Sequence, residues 1–135
     1  MKTSLFSLLF GIALLSASCD KTKDGQFSPG EHFELAYGAT ATCTCDSLSV
    51  KFQKVVEDSR CPSDVECVWA GRIVIELEVV IDGVAQTVTL SSENNEEQAT
   101  VGNYVITMGA VTPYPVSTVV IQPGEYKVDL LIEEL

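Results

Sequence analysis

Apolar and polar residues alternate with a period of two along most of the chain, which is the pattern of half-buried β-strands. The first such stretch covers residues 33–45, with a bend expected at Gly38, and the second begins at Leu48. A third covers residues 67–81, which is longer than a usual strand, so we expect a bend or bulge near Gly71. Further strands are predicted over residues 103–108, 117–121 and 125–133.

Asp82 and Gly83 predict a two-residue hairpin turn within this pattern, because this dipeptide adopts the positive φ angles that such a turn requires. Because the turn has two residues, it determines which residues of the two strands lie opposite each other. It pairs Ile81 with Val84, Val79 with Gln86, Leu77 with Val88 and Ile75 with Leu90. Three of the four pairs are wholly apolar, so this register keeps one face of the hairpin dry. The polar residues 91–98 are predicted to form a solvated loop.

The strand count indicates the fold class. About seven short strands separated by turns, with no convincing helical period after the N-terminal segment, are typical of an all-β domain. The pattern leaves a single antiparallel β-sandwich and a small barrel open as alternatives. A length of 135 residues allows one domain, which we assign to residues 31–135.

The first nineteen residues have the features of a lipoprotein signal. The apolar run over residues 5–15 is too short to cross a bilayer core, which needs roughly 20 residues. Small residues lead up to Cys19, as in the lipobox of bacterial lipoproteins, although Ser16 stands where that family usually has leucine. The resemblance implies a signal peptide over residues 1–18 and acylation of Cys19. The alternative is an ordinary secretory peptide cleaved near Ala17.

Residues 19–30 are polar and predict a flexible tether between the lipid and the domain. Acyl chains contribute about 0.8 kcal/mol per buried CH₂, so two or three of them on Cys19 anchor a protein to a membrane. We therefore expect a lipid-anchored protein of the bacterial cell envelope, on the periplasmic face or at the cell surface. The 8 Lys+Arg against 19 Asp+Glu, a net charge of −11, argue against a nucleic-acid partner, because phosphate binding needs clustered basic residues.

Four cysteines remain for the domain, and in an exported protein they are expected to form disulfides. Cys61 and Cys67 enclose five residues, which is enough chain to bring the two sulfurs together. Cys43 and Cys45 on an extended strand have Cα atoms about 6.6 Å apart, so they pair only where the chain leaves that conformation. The residues alone also allow both crossed pairings. Their spacing does not match common zinc sites, and we expect no metal and no other cofactor.

The segment from Glu57 to Gly71 has the sequence Glu-Asp-Ser-Arg-Cys-Pro-Ser-Asp-Val-Glu-Cys-Val-Trp-Ala-Gly. It resembles the Asp-Ser-Arg-Cys-Pro-x₄-Cys-x-Trp-x-Gly signature of small bacterial lipoproteins of uncharacterised function, and the strands at 33–38 and 126–130 are similar too. The resemblance implies an all-β lipoprotein in which Cys61 pairs with Cys67. The resemblance implies no activity, because none is assigned to these lipoproteins. Cys43 and Cys45 lie outside the signature.

This segment has both a structural and a functional interpretation. In the structural one, Asp58 and Arg60 form a charge-assisted pair and Trp69 covers the disulfide from the core face. In the functional one, the bridged loop is a rigid, exposed recognition element of the kind that protease inhibitors present. That candidate recognition loop consists of Pro62, Ser63, Asp64, Val65 and Glu66.

Enzymatic activity is not predicted, because the only histidine, His32, has no nucleophile at motif spacing. Two hypotheses follow from the sequence. The first is a lipid-anchored binding module for a protein or glycan partner, and the second is a structural or accessory envelope lipoprotein without a ligand. A protease inhibitor and a metal-binding protein are less favoured. Joint burial of Tyr104, Tyr114 and Trp69 would argue against a glycan platform.

Overall fold

A computed structural model describes residues 25–45 and 47–135, which fold into two β-sheets packed against each other. The strands are β1 (Gly25–Phe27), β2 (His32–Ala36), β3 (Thr40–Cys43), β4 (Leu48–Asp58), β5 (Ile73–Ile81), β6 (Val84–Ser91), β7 (Gln98–Val101), β8 (Tyr104–Thr112) and β9 (Lys127–Glu134). The first sheet has the order β1-β3-β4-β5-β6 and the second has the order β2-β9-β8-β7. The predicted all-β class is confirmed, as a sandwich of nine described strands and not a closed barrel.

The core lies between the two sheets and is built by the alternation seen in the sequence. In β5, residues Ile73, Ile75, Leu77 and Val79 are buried while their neighbours are partly exposed. Each fully buried aliphatic side chain contributes about 1.5–3 kcal/mol relative to leaving it exposed. The second sheet supplies the facing layer through buried side chains of β8 and β9, including Ile106, Leu130 and Ile132.

The predicted β5–β6 hairpin is confirmed residue by residue. Ile81 pairs with Val84 and the remaining pairs follow down to Ile75 with Leu90. Asp82 and Gly83 have φ angles of 49° and 82°, which are the left-handed values that a two-residue turn needs. On the predicted dry face of β6, Val88 and Leu90 are buried in the core, whereas Val84, next to the turn, is 61% exposed.

The stretch predicted as one bent strand over residues 33–45 forms two strands in different sheets. β2 pairs with β9 in the second sheet, whereas β3 pairs with β4 in the first. Gly38 lies between them with a φ of 74°, and its N–H donates to the carbonyl of Phe52 at 2.8 Å. Because glycine adopts this left-handed conformation freely, the chain turns from one sheet to the other without interrupting the alternation.

The N-terminal boundary of the domain lies earlier than predicted. Gly25–Phe27 pairs in parallel with β3, and the buried Phe27 ring stacks on Phe33 with 4.4 Å between ring centroids. Residues 25–27, which the sequence assigned to a tether over residues 19–30, therefore belong to the first sheet. The predicted signal peptide and Cys19 lie outside the described residues. Within residues 25–45 and 47–135, no helix has the length and hydropathy that a membrane crossing requires.

The strand predicted over residues 117–121 is absent. Residues 113–122 form an irregular connection that leads into a single 3₁₀ turn at Pro123–Glu125. The preceding strand β8 already has β7 and β9 as neighbours, so the sheet offers this segment no place beside it. The loop predicted over residues 91–98 is shorter than expected, because Ser91 ends β6 and Gln98 begins the short strand β7.

Candidate interaction surface

The chain leaves β4 and returns to β5 through a loop over residues 59–72, which is closed by a disulfide between Cys61 and Cys67 with Cα atoms 5.8 Å apart. Two backbone hydrogen bonds cross the base of this loop: Ser59 N–H donates to the carbonyl of Arg72 at 2.8 Å, and Cys61 N–H donates to that of Ala70 at 2.9 Å. Gly71 has a φ of 68°, and a β-carbon there would overlap the carbonyl oxygen of Ser59. The close approach of the two arms therefore requires glycine.

Asp58 and Arg60 form a bidentate ion pair beneath the loop. Nε and Nη2 of Arg60 donate to the two carboxylate oxygens of Asp58 at 2.8 and 2.7 Å, and both side chains are buried. Nη1 and Nη2 also donate to the carbonyls of Val111 and Pro113 at 2.6 and 3.0 Å. The predicted charge-assisted pair is confirmed, and it connects the end of β4 to the last residues of β8 and to Pro113, which follows them.

Tyr126 completes this buried cluster by donating from its hydroxyl to Oδ2 of Asp58 at 3.0 Å. Burial acts to raise the pKa of Asp58, but the hydrogen bonds from Arg60 and Tyr126 and the charge of Arg60 outweigh it, so this pKa lies below its ordinary value. Burial and the Asp58 carboxylate together raise the pKa of Tyr126 to about 12. The cluster at neutral pH therefore consists of a carboxylate, a guanidinium and a neutral phenol.

The predicted recognition loop, Pro62 to Glu66, is exposed and held against the connection over residues 113–122. Ser63 N–H donates to the carbonyl of Pro115 at 2.9 Å. The Asp64 carboxylate accepts hydrogen bonds from the hydroxyl and the backbone N–H of Ser117, at 2.5 and 2.8 Å, and these bonds lower its pKa. The sequence predicted one loop, and the structure adds a second loop that packs beside it.

Exposed hydrophobic side chains concentrate on these two loops. Seven of the ten large hydrophobic side chains that are exposed in the described part of the chain lie here: Val65, Val68 and Trp69 on the first loop, and Tyr114, Val116, Val119 and Val120 on the second. Clusters of exposed apolar residues on soluble domains commonly mark interaction sites. We call the surface formed by residues 59–72 and 113–122 the braced end.

Trp69 does not cover the disulfide, so that prediction is wrong. Its side chain is 81% exposed and borders an open groove of about 550 Å³, which also has Glu57, Arg72 and Glu93 in its lining. Arg72 donates to the carboxylates of Glu57 and Glu93 at 3.0 and 3.4 Å. The alternation of buried and exposed side chains begins only at Ile73. The left-handed backbone at Gly71 separates this strand from Trp69, whose side chain does not face the core.

The three aromatic residues named as a criterion for glycan binding divide into two groups. Tyr104 is buried, whereas Trp69 and Tyr114 are 81% and 52% exposed. The Tyr114 ring has the Arg60 guanidinium carbon 4.9 Å from its centroid, which is cation–π distance. The criterion that would argue against a glycan platform is therefore not met.

The second disulfide joins Cys43 and Cys45 beyond the other end of β4. The chain turns at Thr44 and Cys45, which brings the two Cα atoms to 5.0 Å. Cys43 is buried, and Sγ of Cys45 lies 3.9 Å from the hydroxyl oxygen of Tyr104. The two disulfides together leave no cysteine for the crossed pairings. An open groove of about 520 Å³, with Ser47 in its lining, lies beside this turn.

No three His, Cys, Asp or Glu side chains among the described residues are arranged to hold a metal ion. His32 is exposed, with Nδ1 2.8 Å from Oδ2 of Asp129. Comparisons with protein-family models, with curated proteins and with solved structures found no match to this chain. The braced end is thus defined as a candidate site by its geometry alone.

Proposed function

We propose that this protein is a lipid-anchored binding module of the bacterial cell envelope that captures a protein partner through the braced end. The observation that carries the proposal is the concentration of exposed hydrophobic side chains on two loops held by a disulfide and a buried ion pair. Loops that are fixed before binding lose less conformational entropy when they bind. A structural lipoprotein without a ligand has no need of such a surface.

The chemistry of the braced end favours a protein over other ligands. Val116, Val119 and Val120 are aliphatic, and aliphatic side chains are buried most readily by the apolar atoms of another protein. A cleft of about 290 Å³ has Pro62, Pro115 and the first two of these valines in its lining. A pocket at the centre of an interface is where an anchoring side chain of a partner inserts. The exposed Glu66 lies on the same loop and supplies polar surface.

A pull-down from envelope extract tests this proposal. The double variant Val119→Ser with Val120→Ser is expected to lose a partner that the wild-type protein captures. Leu135→Ser is the matched control, because Leu135 is also exposed, at 77%, but follows β9 and lies outside the braced end. Both variants should unfold at the wild-type urea concentration. Absence of any partner for the wild-type protein, or equal capture by all three proteins, would contradict the proposal.

The anchor is tested separately. Cys19→Ala is expected to move the protein from the membrane fraction to the soluble fraction, because the thiol that carries the acyl chains is gone. Membrane association that persists in this variant would count against lipidation and would leave the binding surface unaffected. The two parts of the proposal therefore stand or fall independently.

A glycan is the second candidate ligand, favoured by the groove beside Trp69. An exposed indole face stacks on the apolar face of a sugar ring, and the paired groups of Glu57, Arg72 and Glu93 offer hydrogen bonds to hydroxyls. Trp69 is the only tryptophan of the chain, so its fluorescence reports binding directly. Saturable changes on adding cell-wall oligosaccharides, abolished in Trp69→Ala, would replace the protein partner by a glycan.

A further inference from the structure

Strand β6 forms one edge of the first sheet and lacks the usual protection of edge strands. Its eight residues, Val84–Ser91, include no charged residue and no proline. The other edge strands, β1, β2 and β7, have only three, five and four residues. Natural sheets keep edge strands short, charged or interrupted, because an open edge is a template for another strand. β6 is therefore the edge at which a further strand can pair.

The hairpin register shows which backbone groups are available on this edge. In an antiparallel ladder the residues alternate between those bonded to the neighbour and those directed away from it. Val84, Gln86, Val88 and Leu90 bond to β5, so Ala85, Thr87 and Thr89 direct their N–H and C=O groups outwards. The next outward group, Ser91 N–H, is taken by the carbonyl of Glu96 at 3.0 Å. Ala85, Thr87 and Thr89 have no such bond to any described loop.

We propose that β6 pairs antiparallel with β6 of a second copy of this chain, across a two-fold axis at Thr87. This register places Ala85 opposite Thr89 of the second copy and Thr87 opposite its own equivalent. The outward groups of the three residues then form six hydrogen bonds, two for each pair. Val84, which is 61% exposed, comes to lie opposite Leu90 of the second copy. The interface is separate from the braced end and does not depend on it.

The composition of the strand favours a second copy as the occupant. A two-fold pairing brings every side chain of β6 against β6 itself, and a charged residue near the axis would face its own like charge. β6 has none, and it offers a central Thr–Thr pair, which is favourable across strands. The paired edge, residues 84–90, is about 23 Å long, so the contact falls in the class of small interfaces and the dimer is expected to be weak.

The net charge provides a signature of this association. Each copy carries −11, so two copies repel at low ionic strength, and salt screens the repulsion beyond about 10 Å at 0.1 M. Dimerisation through β6 should therefore strengthen as salt is added. A basic partner strand at the same edge would show the opposite salt dependence.

Analytical ultracentrifugation of the purified protein, from micromolar to millimolar concentration and at two salt concentrations, tests the proposal. We expect a monomer–dimer equilibrium that salt strengthens and that Thr87→Lys weakens at least tenfold. Thr42→Lys is the control, because Thr42 is exposed on β3, which lies between β1 and β4. A protein that stays monomeric throughout, or a dimer that both variants weaken equally, would overturn the proposal.

Amide hydrogen exchange of the wild-type protein gives a test that needs no variant. At high protein concentration the N–H groups of Ala85, Thr87 and Thr89 should become protected, whereas those of Gln86 and Val88 are bonded to β5 at every concentration. Protection that instead appears only on residues 113–122 would place the contact at the braced end and overturn pairing through β6.

Discussion

The two disulfides lie beyond opposite ends of β4, a strand of 11 residues and roughly 35 Å, and their surroundings differ. The bridge from Cys43 to Cys45 closes a three-residue turn whose first cysteine is buried in the core. The bridge from Cys61 to Cys67 closes a larger ring on an exposed loop, where core packing does not define the backbone. One disulfide thus closes a turn that packs on the core, and the other fixes the shape of an exposed contact surface.

The two ion pairs where β4 meets the braced end differ in their burial. The side chains of Asp58 and Arg60 are buried, and Arg60 donates two hydrogen bonds to the Asp58 carboxylate. Glu57 and Arg72 are about 40% exposed and pair in the groove beside Trp69. Exposed pairs contribute little to stability because water screens them. A buried pair is different, because removing one partner leaves the other charged and unpaired.

Replacing the buried carboxylate is expected to have the largest effect. Asp58→Asn leaves Arg60 buried without its counter-charge and should lower the free energy of unfolding by about 3–5 kcal/mol. Urea unfolding at pH 7 measures this change. Glu57→Gln is the matched control one residue away and should leave the unfolding midpoint close to that of the wild-type protein. Equal effects of the two changes would remove the distinction between the buried and the exposed pair.

Removing each disulfide in turn compares the two ends directly. Loop-closure entropy gives about 2.4 kcal/mol for the ring closed by Cys61 and Cys67 and about 1.6 kcal/mol for the smaller ring closed by Cys43 and Cys45. The double serine variants should be destabilised in that order, as measured by urea unfolding. Only the change at Cys61 and Cys67 should also reduce partner capture. Loss of capture in the other variant would mean that the two ends act together.

The third test uses the alkaline titration of Tyr126. Its pKa is raised in the folded state to about 12 from an ordinary value near 10, so the stabilisation is complete below pH 10 and is lost as the pH rises towards 12. Tyr126→Phe should cost about 1.5 kcal/mol at pH 7, the value of a hydrogen bond to a charged group. The difference in unfolding free energy between the two proteins should shrink above pH 10. A constant difference would exclude this linkage.

The smallest effect on stability is expected at the exposed valines of the braced end. Val120→Ser should change the free energy of unfolding by less than about 0.5 kcal/mol, because the side chain is 81% exposed and loses almost no packing. Calorimetry of the two proteins side by side checks this. A clear loss of stability would show that Val120 supports the loop rather than contacting a partner.

Features set by short stretches of sequence could be predicted. The register of the β5–β6 hairpin follows from Asp82 and Gly83, and the ion pair of Asp58 and Arg60 joins residues two apart. Features set by distant segments could not. Alternation before and after Gly38 is the same whether the chain stays in one sheet or changes sheets. The packing of the 113–122 connection against Ser63 and Asp64 depends on residues some fifty positions apart.

The prediction that Trp69 covers the disulfide is wrong for a related physical reason. The positions from 67 to 81 alternate without interruption, yet the backbone at Gly71 is left-handed. Residue 71 must be glycine, because the Ser59 carbonyl leaves no space for a β-carbon. The contact between Gly71 and Ser59 joins the two arms of a loop, so the pattern of apolar and polar residues does not reveal it. A glycine at the close of a disulfide-bridged segment is the only local signal that the strand begins after it.

If Cys19 carries the proposed lipid, the parallel pairing of β1 with β3 also limits how far the domain can stand from the membrane. Gly25 already belongs to the first sheet, so six residue steps separate it from Cys19. Six steps span at most about 22 Å, which is shorter than β4. With lipid on Cys19, the domain would sample only a thin layer beside the bilayer, and a partner would have to enter that layer or reside in the same membrane.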